Sequence, residues 1–151
     1  MRKKSREAGR FASKSRQRRS EPTALRHNKH SVGSATVHLV WIPKRRKPVL
    51  VGDVKLRLSQ ILTEVANEKQ WIIKALEIAS NHVHVLVEHD PKTPINSIVK
   101  AFKGRSSRYL RQEFPHLLKL PTLWTHSYFY DTTGKVSTAK IQEYINDPHH
   151  S

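Results

Sequence analysis

Residues 71–89, WIIKALEIASNHVHVLVEH, contain two runs of strand character separated by the pair Ser80-Asn81. So short a polar break between two apolar runs predicts a tight turn joining antiparallel neighbours. Successive side chains of a strand point to opposite faces. In the second run, Val83, Val85 and Val87 therefore share the face that packs under helices, and His82, His84 and Glu88 share the other. The polar face is the open one.

The pattern extends in both directions. Ala35, Val37, Leu39 and Trp41 alternate with Thr36, His38, Val40 and Ile42 up to Pro43, which reads as a first strand. Beyond the basic stretch Lys44 to Pro48, residues 54–69 place Leu58, Ile61, Leu62 and Val65 on one helical stripe, and residues 94–114 do the same with Ile95, Ile98, Val99, Phe102 and Leu110. An aromatic-rich fourth strand is predicted over Leu123–Tyr130, a turn over Asp131–Gly134, and a short last helix over Val136–Asn146 with Ser137 as its cap. Strand, helix, strand, strand, helix, strand, helix is an α+β order. It predicts a ferredoxin-like (RRM-like) antiparallel sheet with helices on one face, the other face free for a site, and an extra C-terminal helix carrying Tyr144. No internal repeat is visible.

The chain has 151 residues, enough for one ordinary domain with a buried core. It carries 28 Lys+Arg against 12 Asp+Glu, a net charge of +16, which calls for a polyanionic partner, nucleic acid before a membrane surface. Residues 1–30 hold +9 of that charge with hardly any apolar residue, so they are expected to form a disordered basic arm, and residues 31–151 the folded domain. Such an arm either grips phosphates or is merely solvated. Cysteine is absent, which excludes disulfides and thiolate zinc sites, so any metal must be bound by imidazole, carboxylate or amide groups. No apolar run approaches the roughly 20 residues of a membrane span and the N-terminus lacks a signal core, so a cytoplasmic protein without membrane contact is expected.

His82 and His84, on one strand face, are able to chelate a divalent cation as neutral imidazoles. Read from spacing alone they are equally two incidental members of a set of ten histidines. Tyr144 stands at the border of the stripe formed by Ile141 and Ile145, where a phenol hydroxyl reaches outward. It is a potential nucleophile if a base or cation lies close, and otherwise an ordinary amphipathic border residue.

Taken together, the segments SNHVHVLVEHD, VHLVWIPKRRKPVL, INSIVKAFKGRSSRYLR, LWTHSYFYDTTG and IQEYIND resemble, in order and spacing, the single-tyrosine HUH transposases of bacterial insertion sequences, the TnpA type. The resemblance runs from about Val37 to Asp147. It implies a homodimer of ferredoxin-like domains with active sites shared between subunits, acting on single-stranded DNA hairpins at transposon ends. His82 and His84 would hold Mg²⁺ or Mn²⁺, and Tyr144 would attack the scissile phosphate to form a 5′-phosphotyrosine and a free 3′-hydroxyl. That bond conserves phosphodiester energy, so rejoining needs no ATP.

One position departs from the family pattern. Four residues after the tyrosine the family supplies a third ligand from Gln, and here Pro148 stands there, with Asp147 or His149 as the substitutes within reach. A catalytically weakened or inactive relative that only binds hairpin DNA is the alternative this departure favours.

Phosphate contacts are assigned to the basic residues Lys44, Arg45, Arg46 and Lys47 after the first strand and to Lys100, Lys103, Arg105, Arg108 and Arg111 on the second long helix. Trp124, Tyr128 and Phe129 are candidates for base stacking, with core packing the expected role for at least some. An RNA-recognition module would carry stacking aromatics where this third strand carries His82, His84 and Glu88. Replication initiators and relaxases commonly have more catalytic tyrosines or a larger domain, and a water-using hydrolase would leave no protein–DNA bond.

Overall fold

The computed structural model describes residues 33–147. The expected basic arm, residues 1–30, lies outside them, as do Pro148 and His149. The elements are β1 (Ala35–Trp41), α1 (Gly52–Lys69), β2 (Ile72–Ala79), β3 (His82–His89), α2 (Ile95–Glu113), β4 (Phe129–Asp131) and α3 (Thr138–Ile145), with short 3-10 turns at Lys44–Arg46 and Pro115–Lys119. Four strands form one sheet in the order β2-β3-β1-β4, and every pairing is antiparallel. This is the predicted ferredoxin-like arrangement. Ser80 and Asn81 make the two-residue connection that sets Ala79 opposite His82.

Sheet alternation divides the molecule. Val37, Leu39 and Trp41 of β1 and Val83, Val85 and Val87 of β3 are buried with Leu58, Ile61 and Leu62 of α1 and Ile98, Phe102 and Leu110 of α2. Phe102 stacks against Trp41 with centroids 6.1 Å apart and meets Trp71 edge-on at 5.5 Å. Trp124 meets Trp41 edge-on at 6.0 Å. Ser106, fully buried on α2, donates to the Phe102 carbonyl and accepts from the Trp124 indole N–H at 3.0 Å, so a polar pair is satisfied inside an aromatic cluster. The sequence left Trp124 between stacking and packing. It packs.

Two expectations need correction. The far face of the sheet is not left open throughout, because α3 crosses onto it. Ile141 and Ile145 bury Val40 and Ile42, with Phe129, Val136 and Tyr144 against them. The side chains that alternation sends away from α1 and α2 thus form a second, smaller core at one end of β1. The helix begins where Ser137 accepts a hydrogen bond from the Lys140 N–H, as expected of its cap.

The fourth strand is shorter than the predicted Leu123–Tyr130. Leu123, Trp124 and Thr125 are buried in succession, which a strand with one solvated face does not permit. This segment touches β1's continuation only briefly, through Lys44 N–H to the Leu123 carbonyl and Thr125 N–H to the Ile42 carbonyl. It then leaves the sheet, and the Lys103 ammonium donates to the carbonyls of Thr125 at 2.6 Å and Ser127 at 3.2 Å. Pairing resumes at Phe129, opposite Val40. Further along α2, Arg111 donates to the Leu120 carbonyl at 2.8 Å, so α2 holds this connection at Leu120, Trp124, Thr125 and Ser127. The other segment boundaries fall within two residues of the prediction.

Replacing Phe102 with Ala empties the centre of the aromatic cluster and should cost about 3–5 kcal/mol in urea unfolding. Lys103 yields a pH test. Burial lowers its ammonium from 10.5 to about 8. Between those values the unfolded chain holds a proton that the folded chain has released, so this group makes stability rise with pH across that window. Wild type should therefore gain stability relative to Lys103→Met as pH is raised from 8 towards 10.5, and an unchanged difference would show that folding leaves the ammonium's pKa unshifted.

Candidate functional site

The face away from α1 and α2 collects the chain's chemistry. β3 is central, and its even-numbered residues His82, His84, Leu86 and Glu88 stand on that face. Register sets His84 between Val40 of β1 and Glu77 of β2. His38 of β1 lies diagonally adjacent, and its Nδ1 is 3.0 Å from His84 Nε2. Their ring centroids are 5.3 Å apart at an interplanar angle of 41°. His82 Nδ1 lies 3.1 Å from Asn81 Oδ1; that oxygen only accepts, so Nδ1 carries the proton and Nε2 is left as the bare nitrogen.

Burial lowers the basicity of both His82 and His84, and His38 adds to the effect at His84 while Glu77 opposes it at both. The rings are accordingly neutral around pH 7, the form that binds a metal. Among the described residues no three imidazole or carboxylate groups are gathered as a ready cage. Two neutral imidazoles on an open strand face nonetheless have the donor chemistry a divalent cation needs. Any cation held by His82 and His84 would have to draw in a further group.

Tyr144 comes to the same face on α3. Its ring is half-buried beside Phe129, with centroids 6.1 Å apart, and its hydroxyl lies 3.0 Å from Ser127 Oγ. Burial raises the phenol's pKa above its ordinary value, and hydrogen bonds from Ser127 and Thr125 oppose that rise. Phe129 and Val40 link Tyr144 to the histidines: Phe129 pairs with Val40, and Val40 pairs with His84. Asp147, the one described candidate for a substitute ligand, follows α3, and its N–H donates to the Tyr144 carbonyl.

The basic residues are distributed over several surfaces. Arg46 reaches α3, donating to the Asn146 side chain at 3.0 Å and to the Ile145 carbonyl at 3.3 Å, where a cation suits the helix C-terminus. It and Arg45 occupy left-handed backbone conformations, φ 52° and 60°, uncommon for side chains of this size. Arg45, Lys47 and Lys100 are exposed and Lys44 half-buried. Lys103 is held by the Thr125 and Ser127 carbonyls. Arg105 and Arg108 flank the Tyr109 ring on the helix layer, where Arg105 also pairs with Glu68 of α1. That layer lies behind the sheet from the histidines.

Sequence reasoning did not single out His38, Ser127, Lys135 or Lys140. His38, Asp131, Lys135, Ser137 and Lys140 line an open cleft of about 570 Å³ between the sheet and the start of α3. The alternation of β1 already put His38 on the polar face, but only the β1–β3 register brings it to His84.

Comparison with known proteins agrees with this architecture. A family profile described as "Transposase IS200 like" matches residues 31–148. The chain is 33% identical over 131 residues to the ISDra2 transposase TnpA of Deinococcus radiodurans, covering 85% of this chain and 94% of that protein. It is also 33% identical over 119 residues to the transposase for insertion sequence element IS200 of Salmonella typhimurium, covering 77% and 78%. Among solved structures, a "putative transposase" from Deinococcus radiodurans R1 superposes with a TM-score of 0.73 at 35% identity, over 83% of this chain and 99% of the other. A tyrosine transposase solved with a REP hairpin shares the fold alone, at 13% identity and a TM-score of 0.50, over 80% of this chain and 67% of that one. The chain belongs to the IS200-like transposase family.

Proposed function

We propose that the protein cleaves and rejoins single-stranded DNA at hairpin ends, with Tyr144 as the nucleophile and His82 and His84 as ligands of Mg²⁺ or Mn²⁺. The observation that carries this reading is the crossing of α3: the tyrosine helix packs on Val40 and Ile42, on the sheet face that presents the histidines. A nucleophile and a pair of neutral imidazoles on one face are what metal-assisted phosphoryl transfer requires. The bound cation would polarise the scissile phosphate as a Lewis acid.

The Tyr144 oxygen attacks phosphorus, the bond from phosphorus to the 3′ oxygen breaks, and that oxygen leaves as a 3′-hydroxyl after gaining a proton. The product is a 5′-phosphotyrosine. Attack by another 3′-hydroxyl on the same phosphorus regenerates the phenol and reseals the strand, so one bond replaces another in each direction. Because burial holds the phenol protonated well above neutral pH, its proton must pass to an acceptor as the oxygen attacks. In the present arrangement the hydroxyl is engaged by Ser127, so this contact must yield to substrate.

We also propose a homodimer in which the tyrosine helix of one subunit serves the histidine pair of the other, which requires α3 to leave the face of its own sheet on which it packs here. Hairpin DNA is the substrate class this reading assigns, and the REP hairpin held by a protein of the same fold supports it. Lys135 and Lys140 in the cleft beside His38, with exposed Arg45, would meet its phosphates. No helix among the described residues is long and apolar enough to cross a membrane. We place the reaction in the cytoplasm, where the DNA is.

Incubating the protein with labelled, hairpin-flanked single-stranded DNA and Mg²⁺ or Mn²⁺ should yield a covalent protein–DNA adduct on a denaturing gel. Tyr144→Phe, His82→Ala and chelation of the metal should each abolish it, and duplex DNA should give none. Hairpin binding without adduct under either metal would overturn the enzymatic reading and leave an inactive, DNA-binding relative.

A further inference from the structure

We infer that Arg46 joins the substrate to the tyrosine helix: one edge of its guanidinium holds the end of α3, and the other takes a backbone phosphate of the bound single-stranded DNA. This rests on the substrate proposed above.

The arrangement begins in the turn that follows β1. Lys44 N–H donates to the Leu123 carbonyl at 2.8 Å and Arg46 N–H to the Pro43 carbonyl at 2.9 Å, which ties the turn to the connection into β4. Arg45 and Arg46 then adopt left-handed backbone conformations in succession, φ 60° and 52°. Long side chains take this region at a cost and keep it only where the surroundings impose it. Of the basic residues from Lys44 to Lys47, Arg46 is the one whose side chain donates to another element among the described residues.

Both of its bonds to α3 come from a single nitrogen. Nη1 donates to Asn146 Oδ1 at 3.0 Å and to the Ile145 carbonyl at 3.3 Å. Nε and Nη2 form another edge of the planar fork, and neither has a hydrogen-bond partner among the described residues. Arg46 is exposed, so that edge is open to solvent. A guanidinium edge matches two oxygens of one phosphate. The acceptors on α3 are neutral and leave the charge of Arg46 uncompensated. Lys44, Arg45 and Lys47 add to it, and none of the four is in an ion pair among the described residues.

The place of the contact gives it a consequence for chemistry. Ile145 and Asn146 directly follow Tyr144, and Ile145 belongs to the patch that docks α3 on Val40 and Ile42. A helix C-terminus by itself repels an anion, and here a cation stands between the two. A strand gripped at Arg46 is thereby registered against the end of the helix that carries the nucleophile. Arg46 is thus a positioning residue for Tyr144. In the homodimer proposed above, the same contact forms with the helix of a second copy, because exchange substitutes an identical element.

The test uses the full chain, hairpin-flanked single-stranded DNA and EDTA, so that no strand is cut. Binding is titrated over a range of salt concentrations, and amide exchange over α3 is followed with and without DNA. Bound DNA should slow that exchange in wild type. Arg46→Ala should bind roughly tenfold more weakly, with the slope of log affinity on log salt reduced by about one, and DNA should no longer slow exchange over α3. Arg46→Lys should keep the slope and lose the protection, because a single ammonium lacks the fork that serves both sides. Asn146→Ala should keep the slope with the protection diminished. An unchanged slope in Arg46→Ala would overturn the inference and reduce Arg46 to a structural tie. A reduced slope with α3 still protected by DNA would also overturn it, leaving a phosphate contact uncoupled from the helix. Both results leave the proposed cleavage standing, since the covalent adduct is measured separately with metal present. Failure of wild type to bind the DNA would remove this inference together with the proposed substrate.

Discussion

The fold depends on the alternation of β1 and β3, the two central strands, each of which has a partner on both sides. Val37, Leu39 and Trp41 beside Val83, Val85 and Val87 form a continuous apolar surface that has to be covered, and α1 and α2 cover it. The same period of two leaves His38, His82 and His84 no choice of side. A one-residue slip in either strand would bury imidazoles under the helices and expose valines to water, so the core that stabilises the sheet also fixes the orientation of the site.

The opposite face is organised by what α3 leaves uncovered. Ile141 and Ile145 dock on Val40 and Ile42, closing one end of β1 and bringing Tyr144 beside Phe129. Arg46 adds a contact at the end of α3 through Ile145 and Asn146, although a surface guanidinium of this kind contributes little stability alone. The helix is therefore attached mainly by a small apolar patch. The tyrosine proposed as nucleophile thus stands on a helix attached mainly by an apolar patch to the central strand of the sheet.

The connection into β4 shows how the two faces communicate. On α2, Ser106 satisfies the Trp124 indole in the core, and Lys103 holds the carbonyls of Thr125 and Ser127 one turn away. Ser127 is in turn the partner of the Tyr144 hydroxyl. A lysine on the helix layer thus sets the position of a loop that meets the tyrosine across the sheet edge. Its charge, read from sequence as available for phosphate, is directed inward in the free protein.

What the sequence determined by itself was everything that depends on local period and short reach. The alternation of residues 82–89, the stripe of Ile98, Val99, Phe102 and Leu110, the two-residue turn at Ser80-Asn81 and the Ser137 cap each follow from a few neighbouring residues. They sufficed for element order, sheet type and the shared face of His82 and His84. Tertiary structure decided what depends on partners distant in the chain. His38 meets His84 across 46 residues because of strand register, and α3 lies on the histidine face because Val40 and Ile42 needed cover. The fourth strand contracted to Phe129–Asp131 because Lys103 and Ser106 offered residues 124–127 better partners than β1 did. Periodicity specifies which way a side chain points, but which group it meets there is set only when the chain closes on itself.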